Sequence, residues 1–441
     1  MRGHANPGTV PCRRWKGQSL FLAALLATPA FAQSIAITGG TVVIGDGSAP
    51  IPNGTVIINN GRVTAAGSGV SVPPGASVID ARGKWVTPGI VAGFSRIGLV
   101  GVDAVNESND ASAKESPFNA SLDIAPGINP DVAAIAVNRA AGVTRAVVAP
   151  EASKLIFGGQ GAVIDMGADP QAITRARAFQ FVEFGEGGAD RSGGSRPALF
   201  ANFRNALAEA RDYAAGKLRD GSELKRPDAA ALVAVVTGKQ KLILHVESAT
   251  DILAVLDLKK EYPALDLILV GVTEGWRVAS QIAAAKVPVI ASAVNDLPAA
   301  FETIAATQSN VGRMKAAGVQ LAIGMIDDDD TRQAMHAAQY AGNLVALTKV
   351  PGATGLNWND AFAAITSKPA DVIGMGGEIG SLKAGRRGDV VIWDGDPLEV
   401  ATGVEAVWID GVKQPLSTRQ TRLRDRYARP QEGSLPKAYD R

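Results

Sequence analysis

The sequence predicts an α/β protein in which a (β/α)8 TIM barrel carries a small composite β-sandwich domain built from the N- and C-terminal segments. Three observations lead to this fold class. The chain has 441 residues, which suits a barrel of about 250 to 300 residues together with an accessory domain. Its middle part alternates apolar runs with helical segments, as expected for a parallel sheet covered on both faces. Both ends carry short strands separated by turns.

Residues 1–32 have the pattern of a cleavable signal peptide. A basic region ending at Arg13, Arg14 and Lys16 precedes an apolar run over residues 20–27, and Ala30 and Ala32 supply the small residues of a cleavage site. We therefore expect cleavage after Ala32, a periplasmic location and no membrane attachment afterwards. An uncleaved membrane anchor is the alternative. The single cysteine, Cys12, lies in this leader, which excludes a cysteine hydrolase.

Charge argues against a nucleic-acid partner. The whole chain has 44 basic and 43 acidic residues, and without the leader 40 basic residues remain against 43 acidic ones, a formal charge of −3. A protein that binds nucleic acid needs a basic surface to displace counterions. We therefore expect no nucleic acid among the partners.

Two β-rich segments are predicted to form the composite domain, namely residues 33–86 and 379–416. Apolar residues alternate with polar ones and are punctuated by turns such as Asn59-Asn60-Gly61, a pattern typical of hairpins. The predicted strands are residues 35–40, 55–63, 77–83, 390–393 and 404–411.

Residues 87–378 are predicted to form the barrel. The apolar runs that we interpret as strands are residues 145–148, 162–164, 242–245, 267–270, 288–291 and 319–323. Candidate helices between and after them are residues 251–260, 276–285 and 331–347. In a barrel of this kind the reactive groups lie just after the carboxyl ends of the strands.

Several motifs together resemble the amidohydrolase superfamily, and the mature chain is similar to its exported, imidazolonepropionase-like members. Residues 88–98 read Pro-Gly-Ile-Val-Ala-Gly-Phe-Ser-Arg-Ile-Gly, which has the spacing of the family pattern Pro-Gly-(apolar)-(apolar)-Asp-x-His-x-His. The other motifs are residues 142–145, 158–163 and 193–196 and the closing segments 365–370 and 380–382. The resemblance implies a barrel whose family activity is hydrolysis of carbon–nitrogen bonds, with zinc as the usual cofactor.

The residues that the family uses as metal ligands are largely replaced. The strand-one aspartate and histidine pair fall on Ala92, Phe94 and Arg96, and neither Phe nor protonated Arg offers a lone pair to a metal. The resemblance implies that His245 matches the strand-five histidine, and that the strand-six position falls near Gly271. The bridging ligand is not assigned. The other histidines are His4, in the leader, and His336, so we expect no binuclear site and no zinc cofactor.

His245 and Asp327 are the candidate catalytic residues. At the end of its strand, His245 is expected to act as a general base or a single-metal ligand, or to remain as a hydrogen-bonded remnant of an ancestral site. Asp327 begins a run of four aspartates. This run could bind Mg or Ca, or it could stabilise the start of the following helix, with Asp330 as the cap. His336 is expected to be solvated or packed on that helix.

Arg96 and Phe94 are the candidate ligand-binding residues. The Arg96 guanidinium could bind a carboxylate, or it could pair with Asp327 as a structural plug. Arg145 and Arg196 are predicted to be surface charges. Residues 101–131 are predicted to form a long loop over the barrel mouth that could act as a lid, and residues 417–441 a basic helical tail on the surface.

Two functions remain open. The missing ligands favour a non-catalytic periplasmic binding or assembly subunit, which takes a small-molecule ligand or pairs with a metal-competent homologue in a homo- or hetero-oligomer. The retained His245 favours a residual hydrolase of cyclic amides or dipeptide-like bonds that uses His245 and Asp327 with one metal or none.

Overall fold

Two β-sheets organise the part of the chain that the computed structural model describes, residues 34–219, 221–326 and 330–428. The predicted signal peptide, the side chains of the aspartate run 327–330 and the last part of the tail lie outside this description. In chain order the strands are β1 (Ile35–Val42), β2 (Ile51–Asn59), β3 (Arg62–Gly67), β4 (Ser77–Asp80), β5 (Trp85–Pro88), β6 (Ile90–Ser95), β7 (Val143–Val148), β8 (Phe157–Asp165), β9 (Ile173–Glu183), β10 (Lys241–Val246), β11 (Asp266–Gly271), β12 (Val289–Ala291), β13 (Leu321–Ile323), β14 (Val390–Trp393), β15 (Val404–Ile409) and β16 (Val412–Lys413).

The helices cover the barrel strands or follow them. They are α1 (Ala133–Ala140), α2 (Gly185–Arg191), α3 (Arg196–Ala214), α4 (Arg226–Val236), α5 (Ala249–Glu261), α6 (Ala279–Ala285), α7 (Asn310–Ala316), α8 (Ala337–Ala346), α9 (Trp358–Ala364), α10 (Ser367–Val372) and α11 (Arg419–Tyr427). Among the described residues, no helix combines the length and the apolar character needed to cross a membrane.

The terminal segments form a separate sheet domain, as the alternating strands predict. Its strand order is β16-β15-β14-β5-β1-β2-β3, and β4 pairs with β1. The N-terminal and C-terminal parts of this domain meet where β14 pairs antiparallel with β5, from Val390 opposite Pro88 to Trp393 opposite Trp85. This pairing joins both segments edge to edge, so the described strands make one connected sheet, and apolar residues of both segments share one core.

The second sheet is a nearly closed, TIM-barrel-like arrangement with the order β13-β12-β11-β10-β9-β8-β7-β6. Strands β9 to β13 are parallel, but β8 runs antiparallel to both β7 and β9. The expected all-parallel (β/α)8 pattern is therefore wrong at this point. The connections on either side of β8 are too short to hold the crossover helix that parallel neighbours need.

The barrel interior is filled by apolar side chains, so it is a core and not a pore. The largest of them are Phe179 and Phe181, which pack with Ile243, Ile268 and Ile290. The barrel closes where the backbone N–H of Met325 donates to the carbonyl of Phe94 at 3.0 Å.

Of the three predicted helices, one is confirmed in full and two only in part. The prediction over residues 276–285 begins in a 3-10 turn at Gly275–Arg277 and becomes α6 only at Ala279. The prediction over residues 251–260 corresponds to α5, and the motif at residues 193–196 leads into α3, whose N-cap Ser195 accepts a hydrogen bond from the Ala198 N–H. The predicted helix over residues 331–347 is wrong in its first part. Residues 330–332 and 334–336 form two separate 3-10 turns, and the α-helix begins only at Ala337.

Residues 101–131 follow β6 and contain only single 3-10 turns, at Asn106–Ser108 and Ala125–Gly127. We call this stretch the lid segment. Its second half is fixed to α4, because the Asp228 carboxylate accepts hydrogen bonds from the backbone N–H groups of Asn119 and Ser121 and from the Ser121 hydroxyl.

Candidate functional site

The candidate site begins at the carboxyl ends of two neighbouring strands. Glu183 ends β9 and His245 lies near the end of β10, and the parallel register places the two residues side by side. Adjacent residues in register point to the same face of a sheet. Below them on that face lie Phe181 and Ile243, which are part of the barrel interior. Both polar side chains therefore project into the barrel mouth.

Two carboxylates engage both ring nitrogens of His245. Its Nδ1 lies 2.7 Å from Glu183 Oε1, and its Nε2 lies 2.9 Å from Glu247 Oε1. An ionised carboxylate only accepts hydrogen bonds, so this geometry favours protons on both ring nitrogens, which is the imidazolium form. We call Glu183, His245 and Glu247 the mouth triad.

The electrostatics of the mouth triad agree with this protonation state. Burial opposes the charge on His245, but the charges and hydrogen bonds of Glu183 and Glu247 raise its pKa well above 6.5. Burial likewise works against ionised Glu183, but the charge and hydrogen bond of His245, with smaller contributions from Arg191 and Arg96, lower its pKa below 4.5.

Glu247 occupies space that a side chain at position 271 would need. Gly271 has a φ of +92°, and a β-carbon added to it would lie 2.2 Å from Glu247 Oε1. The backbone N–H of Thr273 donates to Glu247 Oε2 at 2.8 Å and holds the carboxylate there. Val272, which lies between Gly271 and Thr273, has a φ of +58°, which is unusual and strained for a β-branched residue. The histidine of the family pattern at strand six therefore has no room while Glu247 keeps this position.

Arg96 and Phe94 have different surroundings although they are two residues apart. Phe94 is 2% exposed and packs against Phe181, with ring centroids 5.8 Å apart, inside the barrel. Arg96 follows β6 at the mouth, where its backbone N–H donates to the Thr331 carbonyl at 2.8 Å. Arg96 thus lies among the groups at the mouth, whereas Phe94 contributes to the core beneath them.

A cleft of about 310 Å³ lies between Arg96 and the lid segment. The polar residues of its wall come from the end of β6, from the lid segment, from the loop after β7 and from the turn after β13. They are Arg96, Asp103, Asn106, Asn109, Glu151 and Arg332. Arg332 Nε lies 2.8 Å from Asp103 Oδ1, so the two ends of the cleft wall are linked by an ion pair.

Glu302 brings a further carboxyl group near the mouth triad. It lies on the loop after β12, and its Oε2 accepts a hydrogen bond from the Glu186 backbone N–H at 2.7 Å. Burial raises the pKa of Glu302 to about 7; the charge of Glu247 adds to this, whereas the hydrogen bond from Glu186 and the charge of His245 oppose it. A carboxyl group that titrates near neutral pH can donate or accept a proton under physiological conditions.

The described residues do not fit a zinc centre. A histidine binds zinc through a free lone pair of the neutral ring, whereas both nitrogens of His245 face carboxyl groups at hydrogen-bonding distance. The two strand-one positions carry Phe94 and Arg96. Within residues 34–219, 221–326 and 330–428, no three His, Cys, Asp or Glu side chains are grouped so that they could hold a metal ion.

The other residues singled out in the sequence lie elsewhere. Asp327 lies outside the described residues, so its catalytic role stays a prediction. His336 ends a 3-10 turn and its ring contacts Tyr340 at a centroid distance of 6.1 Å. The surface role predicted for Arg145 is wrong, because its side chain is fully buried. Arg196 is partly exposed and bonds Asp251 at 2.7 Å.

Sequence reasoning missed all three carboxyl groups that surround His245. Glu183 was missed with the whole of β9, although the alternation Phe179-Gln180-Phe181-Val182 is typical of a strand with one buried face. Glu247 lies only two residues after His245. Glu302 has no comparable pattern, because its approach to the site depends on the path of a loop.

Comparisons with known proteins agree with the fold and the motifs. The model of the Amidohydrolase family matches residues 250–414. Amidohydrolase tasK of Hapsidospora irregularis is 26% identical over 388 residues, which are 78% of this chain and 38% of that protein. An imidazolonepropionase of Maricaulis maris is 33% identical over 99 residues, 22% of this chain and 23% of that protein. The matched stretch thus spans less than half the length of either relative.

Solved structures extend the similarity over most of the described chain. An amidohydrolase from Thermotoga maritima superposes with a TM-score of 0.76 at 25% identity, covering 86% of this chain and 99% of that one. A molinate hydrolase superposes with a TM-score of 0.52 at 19% identity and supports the fold alone. Together, the family match over residues 250–414 and these relatives show that the chain is similar to amidohydrolases.

Proposed function

We propose that this protein is a metal-independent, non-catalytic member of its superfamily that binds a small molecule at the barrel mouth. One observation carries the proposal: both ring nitrogens of His245 lie within hydrogen-bonding distance of carboxyl groups, at 2.7 and 2.9 Å, an arrangement that favours the imidazolium. An imidazolium has no lone pair with which to bind a metal or to remove a proton from water. Both roles that His245 would have in a hydrolase are therefore blocked in this arrangement.

The charges at the mouth support the same proposal. In a metal-dependent hydrolase, bound cations balance the acidic ligands and generate hydroxide. Here the side chains of His245 and Arg96 provide positive charge next to Glu183. The carboxylates are thus compensated by the protein itself, and Glu247 occupies space where a further ligand would lie.

The test is to express the full chain with zinc in the medium, measure bound metal by elemental analysis and assay cyclic amides and dipeptides. We expect no stoichiometric metal and no turnover. His245→Ala is compared with His336→Ala, which alters the other histidine outside the leader. Stoichiometric zinc together with turnover that only His245→Ala abolishes would contradict the proposal.

The location and the partners belong to the same proposal. We infer export to the periplasm from the leader sequence, and assembly either with itself or with a metal-competent homologue. Fractionation followed by N-terminal sequencing tests the first point, with Gln33 as the expected first residue. Light scattering of the purified protein, alone and with a co-expressed homologue, tests the second.

A residual hydrolase is the second candidate function, and Glu302 is the observation that favours it. Its pKa of about 7 and its position near His245 would suit a general acid or base for cleavage of a cyclic amide or a dipeptide-like bond. In the sequence-based form of this hypothesis, His245 and Asp327 act with one metal or none. Turnover that is lost in Glu302→Gln and His245→Ala, but kept in His336→Ala, would favour this candidate over the binding protein.

A further inference from the structure

We propose that the barrel mouth binds a primary amine with an apolar body, whose ammonium group donates hydrogen bonds to the Glu302 carboxylate and to the Ser292 hydroxyl. This inference rests on the proposed function, since it gives a ligand class to the metal-independent binding site. Solvent reaches this region, because the side chains of His245 and Glu302 are 24% and 12% exposed. A ligand in solution therefore has access to both groups.

The Glu302 carboxylate has one oxygen without a partner. Its Oε2 accepts a hydrogen bond from the Glu186 backbone N–H at 2.7 Å. The Arg196 guanidinium lies 3.9 Å from the same oxygen, beyond hydrogen-bonding distance, and its Nε donates to Asp251. Glu302 Oε1 has no hydrogen bond with any residue that the structure describes. An ammonium group at Oε1 would supply a hydrogen bond and a charge that these residues do not provide.

The charges around Glu302 favour a cationic ligand. Glu183 and Glu247 share one cation, the His245 ring. Burial raises the pKa of Glu302 to about 7, and the charge of Glu247 adds to this, whereas the hydrogen bond from Glu186 and the charge of His245 oppose it. On balance these surroundings disfavour a negative charge on Glu302. A bound ammonium group reverses that balance, because an opposite charge at close range favours the ionised carboxylate.

Ser292 is a second group at the mouth that lacks a hydrogen bond. It follows β12, where Ile290 packs in the barrel interior, whereas Ala291 and Ala293 pack in the core outside it. Alternation along the chain therefore turns the Ser292 side chain toward the mouth. The residue is 8% exposed, and its hydroxyl has no hydrogen-bond partner among the described residues. A buried hydroxyl without a partner costs free energy, which a ligand N–H recovers.

The apolar part of the ligand follows from the loop that carries Glu302. Leu297, Phe301 and Ile304 lie on this loop and are 81%, 84% and 64% exposed. Large apolar side chains that stand in water gain free energy when a ligand covers them, and a group of them on one loop marks a binding surface. An amine with an aliphatic or aromatic body can use this surface, whereas a bare ammonium ion cannot.

Calorimetric titration of the purified protein with 2-phenylethylamine tests the ligand class, with 2-phenylethanol as its neutral analogue. We expect the amine to bind at least about tenfold more tightly than the alcohol, since only the amine carries a charge. Glu302→Gln keeps an acceptor for the Glu186 N–H but loses the charge, so it should weaken the amine at least about tenfold and leave the alcohol unchanged. Ser292→Ala and Phe301→Ala should each weaken the amine by about threefold to tenfold.

Two control variants match these substitutions. Asp296→Asn alters an exposed carboxylate of the same loop, which accepts a hydrogen bond from the Gln308 backbone N–H at 3.1 Å, and it is the control for Glu302→Gln. Val400→Ala removes a side chain of the sheet domain that is 77% exposed, and it is the control for Phe301→Ala. Both controls should bind the amine like the wild type.

The proposal is wrong if 2-phenylethylamine does not bind, if the alcohol binds as tightly, or if Glu302→Gln binds the amine like the wild type. The comparison of amine and alcohol in the wild type decides even if a variant does not fold. Metal content and turnover, measured on the same preparation, judge the proposed function separately. Amine binding by a protein that also holds stoichiometric zinc and turns over substrate would uphold the ligand class and contradict the non-catalytic role.

Discussion

At the scale of single residues, the chemistry of the barrel mouth depends on the protonation of His245. Its raised pKa means that the folded protein binds this proton more tightly than the unfolded chain. The resulting stability is fully present below the unfolded pKa of 6.5 and is lost as the pH rises through the higher folded value. Glu183 has the opposite dependence: its contribution is full above 4.5 and is lost as the pH falls through the lowered folded pKa. The contributions of His245 and Glu183 are therefore both full between pH 4.5 and pH 6.5, the ordinary pKa values of the two groups.

The first prediction concerns His245→Asn, which keeps a polar side chain without the charge. We expect this variant to lose the most unfolding free energy, relative to the wild type, at about pH 5 to 6, and progressively less as the pH rises through the folded pKa of His245. Urea unfolding at a series of pH values measures it. A loss that does not vary with pH would show that His245 is not held as an imidazolium.

The second prediction concerns Gly271, where backbone conformation and contact act together. Gly271→Ala and Gly318→Ala both place a side chain at positive φ, +92° and +88°, but only the first meets another residue within 4 Å. We expect a cost of about 1 kcal/mol for the conformation in both variants, and about 1 to 3 kcal/mol more at Gly271 from displacement of Glu247. Chemical denaturation measures the unfolding free energy of the two variants. Equal losses would mean that the Glu247 side chain can move away without a loss of stability.

At the scale of elements, the lid segment depends on one buried carboxylate. It contains only single helical turns; Ala111, Ala120 and Ile124 pack into the core, and polar contacts add to this packing in its second half. Asp228 in the first turn of α4 accepts three hydrogen bonds from Asn119 and Ser121, at 2.7 to 3.0 Å. The second half of the lid segment is therefore anchored to a helix that is distant in sequence.

The third prediction is that Asp228→Ala releases the lid segment. The variant leaves two backbone N–H groups without their acceptor, and we expect a loss of about 3 kcal/mol in unfolding free energy and much faster hydrogen exchange in residues 101–131. Asp131→Ala serves as the control, because Asp131 is exposed at the end of the same segment, and it should behave as the wild type. Unchanged exchange in Asp228→Ala would contradict the assigned anchor.

At the scale of the whole molecule, a buried cluster of charges joins the barrel to the sheet domain. Arg145 on β7 is fully buried and bonds Asp389 at 2.8 and 2.9 Å, Asp410 at 2.9 Å and Asp165 at 3.4 Å. Asp389 and Asp410 belong to the C-terminal part of the sheet domain, next to β14 and β15. Burial works against the charge of Arg145, yet these carboxylates raise its pKa. One arginine thus holds three acidic groups from both domains.

The fourth prediction is that Arg145→Met destabilises the entire protein. Removal of the cation leaves buried carboxylates uncompensated, and we expect a loss of about 3 to 5 kcal/mol, measured by chemical denaturation. Arg177→Met is the control, since Arg177 pairs with Asp123 but is 65% exposed, and should cost about 1 kcal/mol or less. If both substitutions cost the same, Arg145 does not join the two domains.

The sequence by itself was enough for the broad plan of the protein. Periodicity identified the strand that carries His245, the segments of the sheet domain and helix α5. The resemblance of residues 88–98 to the family pattern placed Phe94 and Arg96 where that pattern has histidines. These properties are local: each depends on residues close together in the chain, whose pattern reflects burial of one face.

The tertiary structure alone decided what surrounds those residues. Glu183 and His245 are 62 positions apart in sequence and meet at 2.7 Å, because β9 and β10 are neighbours in the barrel. The antiparallel course of β8, the burial of Arg145 and the approach of Glu302 likewise depend on which strands and loops become neighbours. Hydrogen bonding and charge compensation between distant segments set these contacts, and no local pattern of residue types encodes them.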